Sequence, residues 1–253
     1  MMRVAVLLVM VAACQTRDTP PEPAPPPEKE VSPPRVDPPV PDAAAPPTVQ
    51  EHMRAHFDAV VDVQRAITRG HLDRARESAQ KLVASDEPAI EGGAPFVADM
   101  KRAAEAVIAA TDLPTAGASA AILGRTCSRC HEATNAVIAF AWEPRPESDG
   151  SLRVQMQQHQ WAAARLWEGL VGPSDEMWSQ GTEALAASEL DALAAGRGVA
   201  RGDVQALAAH VRELAQKART TTEGGARQAL YGELLSTCAG CHQLVRPAPV
   251  PGP

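Results

Sequence analysis

Two five-residue motifs, Cys127-Ser-Arg-Cys130-His131 and Cys238-Ala-Gly-Cys241-His242, use four of the five cysteines of this chain. Two thiols three residues apart can form thioethers to the two vinyl-derived positions of one porphyrin, and the residue that follows places an imidazole at the iron. The motif is that of c-type haem attachment, present twice. Zinc is a competing reading of four cysteines. CxxC pairs that share a zinc usually lie roughly 15–20 residues apart, however, whereas Cys127 and Cys238 are 111 positions apart and each pair runs directly into His. Free structural thiols that happen to precede a histidine are the remaining alternative. The expectation is two covalent haem c groups at Cys127 with Cys130 and at Cys238 with Cys241, and His131 and His242 as proximal ligands. The fold must then wrap two porphyrins.

The fifth cysteine closes an N-terminal leader. Met1-Met2-Arg3 precedes an apolar run from Val4 to Ala13 that ends Val11-Ala12-Ala13-Cys14, a lipobox pattern cut just before the cysteine. About ten apolar residues are too few to span a bilayer, so 1–13 reads as a signal segment and not as part of the fold. Cys14 would be the lipidated mature N-terminus, and Gln15 after it matches export to the outer membrane. An ordinary cleaved signal peptide with an incidental cysteine is the alternative. Both readings place the chain outside the inner membrane, on its periplasmic side, where haem c is attached. Residues 16–48 then carry thirteen of the 23 prolines and almost no large apolar side chain. Such a segment cannot bury a core, so 14–48 reads as a disordered proline-rich tether, with a reach of up to about 100 Å at about 3.1 Å per residue.

The remaining length, near 200 residues, divides by a repeat. Met53-Arg-Ala-His56 and Met156-Gln-Gln-His159 each follow a potential helix cap, Thr48 or Ser151, and in both copies a threonine, Thr126 or Thr237, precedes the first cysteine of the motif. The offset between copies is 103 positions at the methionines and 111 at the cysteines. The second copy therefore has about eight extra residues, most simply within 186–200. Apolar spacing is helical throughout and no alternating pattern suggests a strand. Helices are expected over 49–69, 71–85, 95–111 and 114–140, then over 152–171, 174–188, 203–221 and 225–245. Gly70 and Gly92-Gly93 punctuate the first set, and Asp112 with Pro114 opens its last helix. The fold class is all-α: two tandem four-helix bundles at 49–142 and 151–246, each with haem near the end of its last helix, a linker at 143–150 and a disordered tail at 247–253.

A haem motif near the end of the last helix of a bundle, with Met in the second turn of the first helix, resembles cytochrome c-prime and the other class II cytochromes c. The small class I cytochromes place CxxCH near the N-terminus and are disfavoured. Arg246, four residues after His242, is similar to the basic residue that commonly follows the haem histidine in this family, whereas the first copy has Asn135 there. Met53-Arg-Ala-His56-Phe57 is also similar to an MxxHF segment of duplicated cytochromes. The resemblance implies Met53 and Met156 as candidates for the sixth iron position.

His56 and His159 lie one helical turn beyond those methionines on the same face, and their repetition in register favours them as the distal ligands, with Met53 and Met156 as the alternatives. An open, five-coordinate iron is the third possibility. His52, His71 and His210 have no counterpart in the other copy and are expected at the surface, and Trp161, Trp167 and Trp178 in the core or against haem. Acids and bases are interspersed at a net charge of −7. No basic patch suggests nucleic acid, and no paired carboxylates or nucleophile constellation suggests a hydrolase. The expected function is one-electron transfer, not catalysis, by a membrane-tethered dihaem cytochrome that exchanges electrons with exported redox proteins. A gas-binding sensor for NO or CO is the alternative, and a dihaem peroxidase the weakest reading.

Overall fold

A computed structural model describes residues 48–188 and 201–245, all within one compact unit. Among these residues there are eight α-helices: α1 (Val49–Thr68), α2 (Leu72–Ala84), α3 (Ala94–Ala109), α4 (Leu113–Thr134), α5 (Leu152–Val171), α6 (Asp175–Ala186), α7 (Arg201–Arg219) and α8 (Gly224–Val245). The leader, Cys14, the proline-rich segment, residues 189–200, Arg246 and the tail lie outside the described residues.

The helix starts follow local chemistry. Thr48 and Glu51 form a reciprocal capping box on α1, which satisfies two backbone N–H groups that the first turn leaves without partners. Asp112 accepts from the backbone N–H of Thr115 at 2.7 Å and opens α4, with Pro114 in its first turn. Ser151 and Ser174 accept at the starts of α5 and α6. Gly70 after α1 and Gly92 before α3 have φ of +73° and +72°, a left-handed backbone that a Cβ would strain.

Helix α4 stops earlier than the pattern predicts. The apolar residues Val137, Ile138 and Phe140 prolong the helical spacing, yet Asn135 turns left-handed at φ 52° and caps the helix, while the N–H of Ala136 closes on the carbonyl of His131 at 2.9 Å. Asparagine tolerates this conformation better than most residues. The chain then returns as an extended segment, and Phe140 meets Phe57 of α1 with ring centroids 5.4 Å apart.

Sequential helices pack on one another in both sets, and α1 closes on α4 as α5 closes on α8. The most extensive contact between the sets joins α4 to α8, with α1 against α8 and α4 against α5 beside it. One buried apolar cluster runs through all of them, from Val60, Ile67 and Leu123 to Trp167, Tyr231 and Leu235. Trp167 of α5 stacks on Tyr231 of α8 at 5.4 Å, and the indole N–H of Trp178 donates to the carbonyl of Ala218 at 2.9 Å.

The α4–α8 contact is close because both helices present glycine. A Cβ on Gly117 would stand 3.1 Å from the carbonyl oxygen of Gly232, and a Cβ on Gly232 would stand 3.2 Å from the Cα of Ala118. Gly117→Val therefore forces the helices apart. It is expected to cost about 1–3 kcal/mol by overpacking, lowering Tm by several degrees in thermal unfolding followed by circular dichroism. Gly202→Ala, where a Cβ meets nothing within 4 Å, should leave Tm unchanged or raise it slightly.

Candidate functional site

Cys127, Cys130 and His131 occupy the last two turns of α4, where residues three and four apart share one face of a helix. That face meets a cavity of about 500 Å³, a volume in the range of cofactor sites. Met53, His56 and Phe57 of α1 line it, as do Glu87 and Ile90 from the α2–α3 connection and Phe96, Val97 and Met100 of α3. The segment 137–141 forms a further wall, and Val171 at the end of α5 touches it. The structure thus gathers Met53, His56, Cys127, Cys130 and His131 around one largely apolar space.

His131 is held in a defined state. Its Nδ1 lies 3.0 Å from the backbone carbonyl oxygen of Val171. A carbonyl can only accept, so Nδ1 carries the proton and Nε2 keeps its lone pair. Burial lowers the pKa of the ring, against a smaller upward pull from this hydrogen bond. A neutral imidazole with Nδ1–H anchored on a carbonyl is the form that binds a metal through Nε2. The carbonyl belongs to the other set of helices.

Desolvation pushes the Cys127 thiol up to about 12 and raises Cys130 as well. Both stay protonated and weakly nucleophilic at neutral pH. His56 is driven below the ordinary imidazole range by burial, partly offset by Glu87. Its Nε2 is buried, 3.2 Å from a Glu87 oxygen, yet outside hydrogen-bonding geometry.

In the second set, Cys238, Cys241 and His242 occupy the last turns of α8. His159 of α5 is buried with its Nε2 3.7 Å from Cys238 Sγ, and its Nδ1 has no hydrogen-bond partner. Burial first, then the proximity of His242, lowers its pKa to about 4, while burial raises Cys238 to about 12. Neither partner is charged, so this contact is not a thiolate–imidazolium nucleophile. Met156 is half-buried against the core. Thr126 and Thr237, each one residue before a motif, donate to the carbonyls of Ile122 and Glu233 four residues back, at 3.0 and 2.8 Å. The repeat is therefore local as well as sequential.

Three features escape the sequence pattern. His52, expected at the surface, is only 10 % exposed in its side chain and lies 2.7 Å from Glu87, because Glu87 returns over α1 from the far side of α2. The i, i+4 spacing of His52 and His56 on a capped helix is a signal that could have paired the two rings, though not with Glu87. The carbonyl of Val171 is backbone and distant in sequence, and carries no signal. The wall at 137–141 is hidden by its helical spacing. By contrast His210 lies toward the surface, paired with Glu233 at 3.0 Å, and Trp167 and Trp178 are core residues.

No protein-family model matches the chain, and no curated protein or solved structure matches it. Among the described residues no helix is long and apolar enough to cross a membrane.

The buried neutral His159 gives a pH signature to the chain made without cofactor. Its folded pKa near 4 lies below the ordinary value near 6.5, so the unfolded chain takes up the proton first. Stability is full above about pH 6.5 and is lost as pH falls toward 4, by up to about 3 kcal/mol. Urea unfolding between pH 7 and 4 should show this slope, and His159→Phe should make it shallower, leaving the part that His56 and His131 contribute.

Proposed function

We propose that the chain is an exported dihaem c-type cytochrome that carries single electrons, with Cys127 and Cys130 binding one haem and Cys238 and Cys241 the other. The observation that carries this reading is His131, fixed by the Val171 carbonyl with Nε2 as its free nitrogen, beside two protonated thiols on a cavity of about 500 Å³. At the first motif the residues fit the group: the walls are apolar, the thiols are in reach of one another on one helical face, and the imidazole is neutral. When bound, haem supplies a one-electron Fe(III)/Fe(II) couple whose potential follows axial ligation and burial. In this reading each set of four helices is one haem-binding bundle, and the direct packing of α4 on α8 supports a relay between them.

His131 and His242 serve as proximal ligands. His56 and His159 complete the axial pairs, a role supported by their burial in the neutral form. Met53 is a second candidate in the first half, favoured there because a Glu87 oxygen stands 3.2 Å from His56 Nε2. Cys14 anchors the protein by lipid at the periplasmic face of a membrane, the outer one by its Gln15, and exported redox proteins are donor and acceptor. Gas binding at an open iron is the competing function.

Expression with haem c maturation machinery should add the mass of two haems that survive denaturation. Cys127→Ala with Cys130→Ala should remove one of them. One haem, or none, in the unmutated protein overturns the proposal. Carbon monoxide titration of the reduced protein separates the two functions: little binding supports electron transfer, and ready binding with a high-spin ferric spectrum supports gas sensing. His159→Ala should open the second haem alone. Cys14→Ser should move the protein from the membrane fraction to the soluble periplasm with its haems in place.

A further inference from the structure

The first CxxCH motif faces a cluster of which the electron-transfer reading uses only His56. His52 and His56 lie one turn apart near the capped start of α1, and Glu87 reaches them from the α2–α3 connection. One carboxylate oxygen lies 2.7 Å from His52 Nε2 and the other 3.2 Å from His56 Nε2, and the two rings are 4.3 Å apart between centroids. One ligand atom from each residue falls within 4.8 Å of the others. For comparison, ligands at about 2.0–2.1 Å in a tetrahedral zinc site are about 3.3 Å from one another. Small side-chain movements close the difference.

We infer that His52, His56 and Glu87 form a binding site for a divalent cation of the zinc class, with two imidazole nitrogens and one carboxylate as ligands. Two His and one Glu make the donor set of three-ligand zinc sites that keep one position open, and imidazole suits zinc and its borderline neighbours better than calcium or magnesium. All three residues are partly buried, and His56 Nε2 is a buried polar atom with no hydrogen bond in the fold. The carboxylate is itself supported, because the Ser85 hydroxyl donates to Glu87, an outer contact of the kind that orients metal ligands. Lys101 is the nearby cation that opposes a metal. Its ammonium group donates to the Ser85 carbonyl at 2.8 Å and acts on His56 only through charge.

The inference goes beyond the haem reading and meets it at one residue. His56 and Glu87 also line the cavity that carries Cys127 and His131. His56 Nε2 can serve the cation or the first iron, not both. A filled cation site therefore leaves the sixth position of the first haem to Met53, and cation binding sets the potential of that haem, because a thioether raises it relative to imidazole. The matching position to His52 in the second copy is Gln155, so this site belongs to the first half alone.

Isothermal titration of the full-length, haem-loaded protein with Zn²⁺, with metal analysis after dialysis, tests the site. One tightly held equivalent is expected, with His56 given up to the cation and Met53 left for the first iron. His52→Ala and Glu87→Gln, neither of which touches the thioethers or proximal ligands, should each weaken it by about 100-fold or more. Both variants should keep two covalent haems by mass, and a wild-type helical circular dichroism spectrum and Tm verify their folding. Wild-type protein that holds no zinc, or variants that hold it as tightly as wild type, overturn the site. A thiol titration before zinc is added reports free cysteines separately. Failure of haem attachment therefore reads out apart from failure of the cation site, and zinc held only by thiols survives both substitutions and counts against it.

Discussion

The close approach of α4 and α8 governs the rest of the structure. Two facing glycines, Gly117 and Gly232, let the backbones meet where any side chain would hold them apart. Each motif lies further along the same two helices, so this crossing fixes where both cysteine pairs and both motif histidines stand. It also merges the two sets of helices into one core in which Trp167, Tyr231 and Leu235 pack with Leu123 and Val60. A chain with so few aromatic residues gains apolar bulk by sharing what it has, since burial of apolar area is the main favourable contribution to folding. The same economy brings α5 close enough for the Val171 carbonyl to reach His131.

Much of this was legible in the residues. Caps at Thr48, Asp112 and Ser151, breaks at Gly70 and Gly92, and the 3.6-residue spacing of apolar side chains are local signals, and the helices begin where they point. What was not legible depends on contacts made at a distance. Helix α4 was read six residues too long because Val137, Ile138 and Phe140 keep helical spacing, while a single left-handed Asn135 reverses the chain. His52 was read as a surface residue because nothing nearby in the sequence announces Glu87. Met53, His56, Cys127, Cys130 and His131 were all read as candidates, and the cavity brings these five together. The length and the chemistry of its remaining walls follow from tertiary packing alone.

The two CxxCH segments share some surroundings and differ in others. Both keep the threonine that bonds back one turn before the motif, and both keep a buried histidine on their first helix. The first copy opens a cavity and surrounds His56 with His52 and Glu87, whereas the second holds His159 against Cys238. The two candidate distal histidines therefore sit in unlike surroundings, His56 beside a carboxylate and His159 beside a protonated thiol.

The bond from His131 to Val171 has a consequence for the history of each molecule as it is made. Synthesis delivers His131 forty residues before its acceptor, so the first motif emerges with its imidazole unanchored. Its orientation waits for α5, and the crossing of α4 with α8 waits for nearly the whole chain. Contacts of such long sequence separation form late. The thiols of Cys127 and Cys130 are thus presented before the helices that complete the core have been made. The order of events along the chain is therefore motif first, packing after.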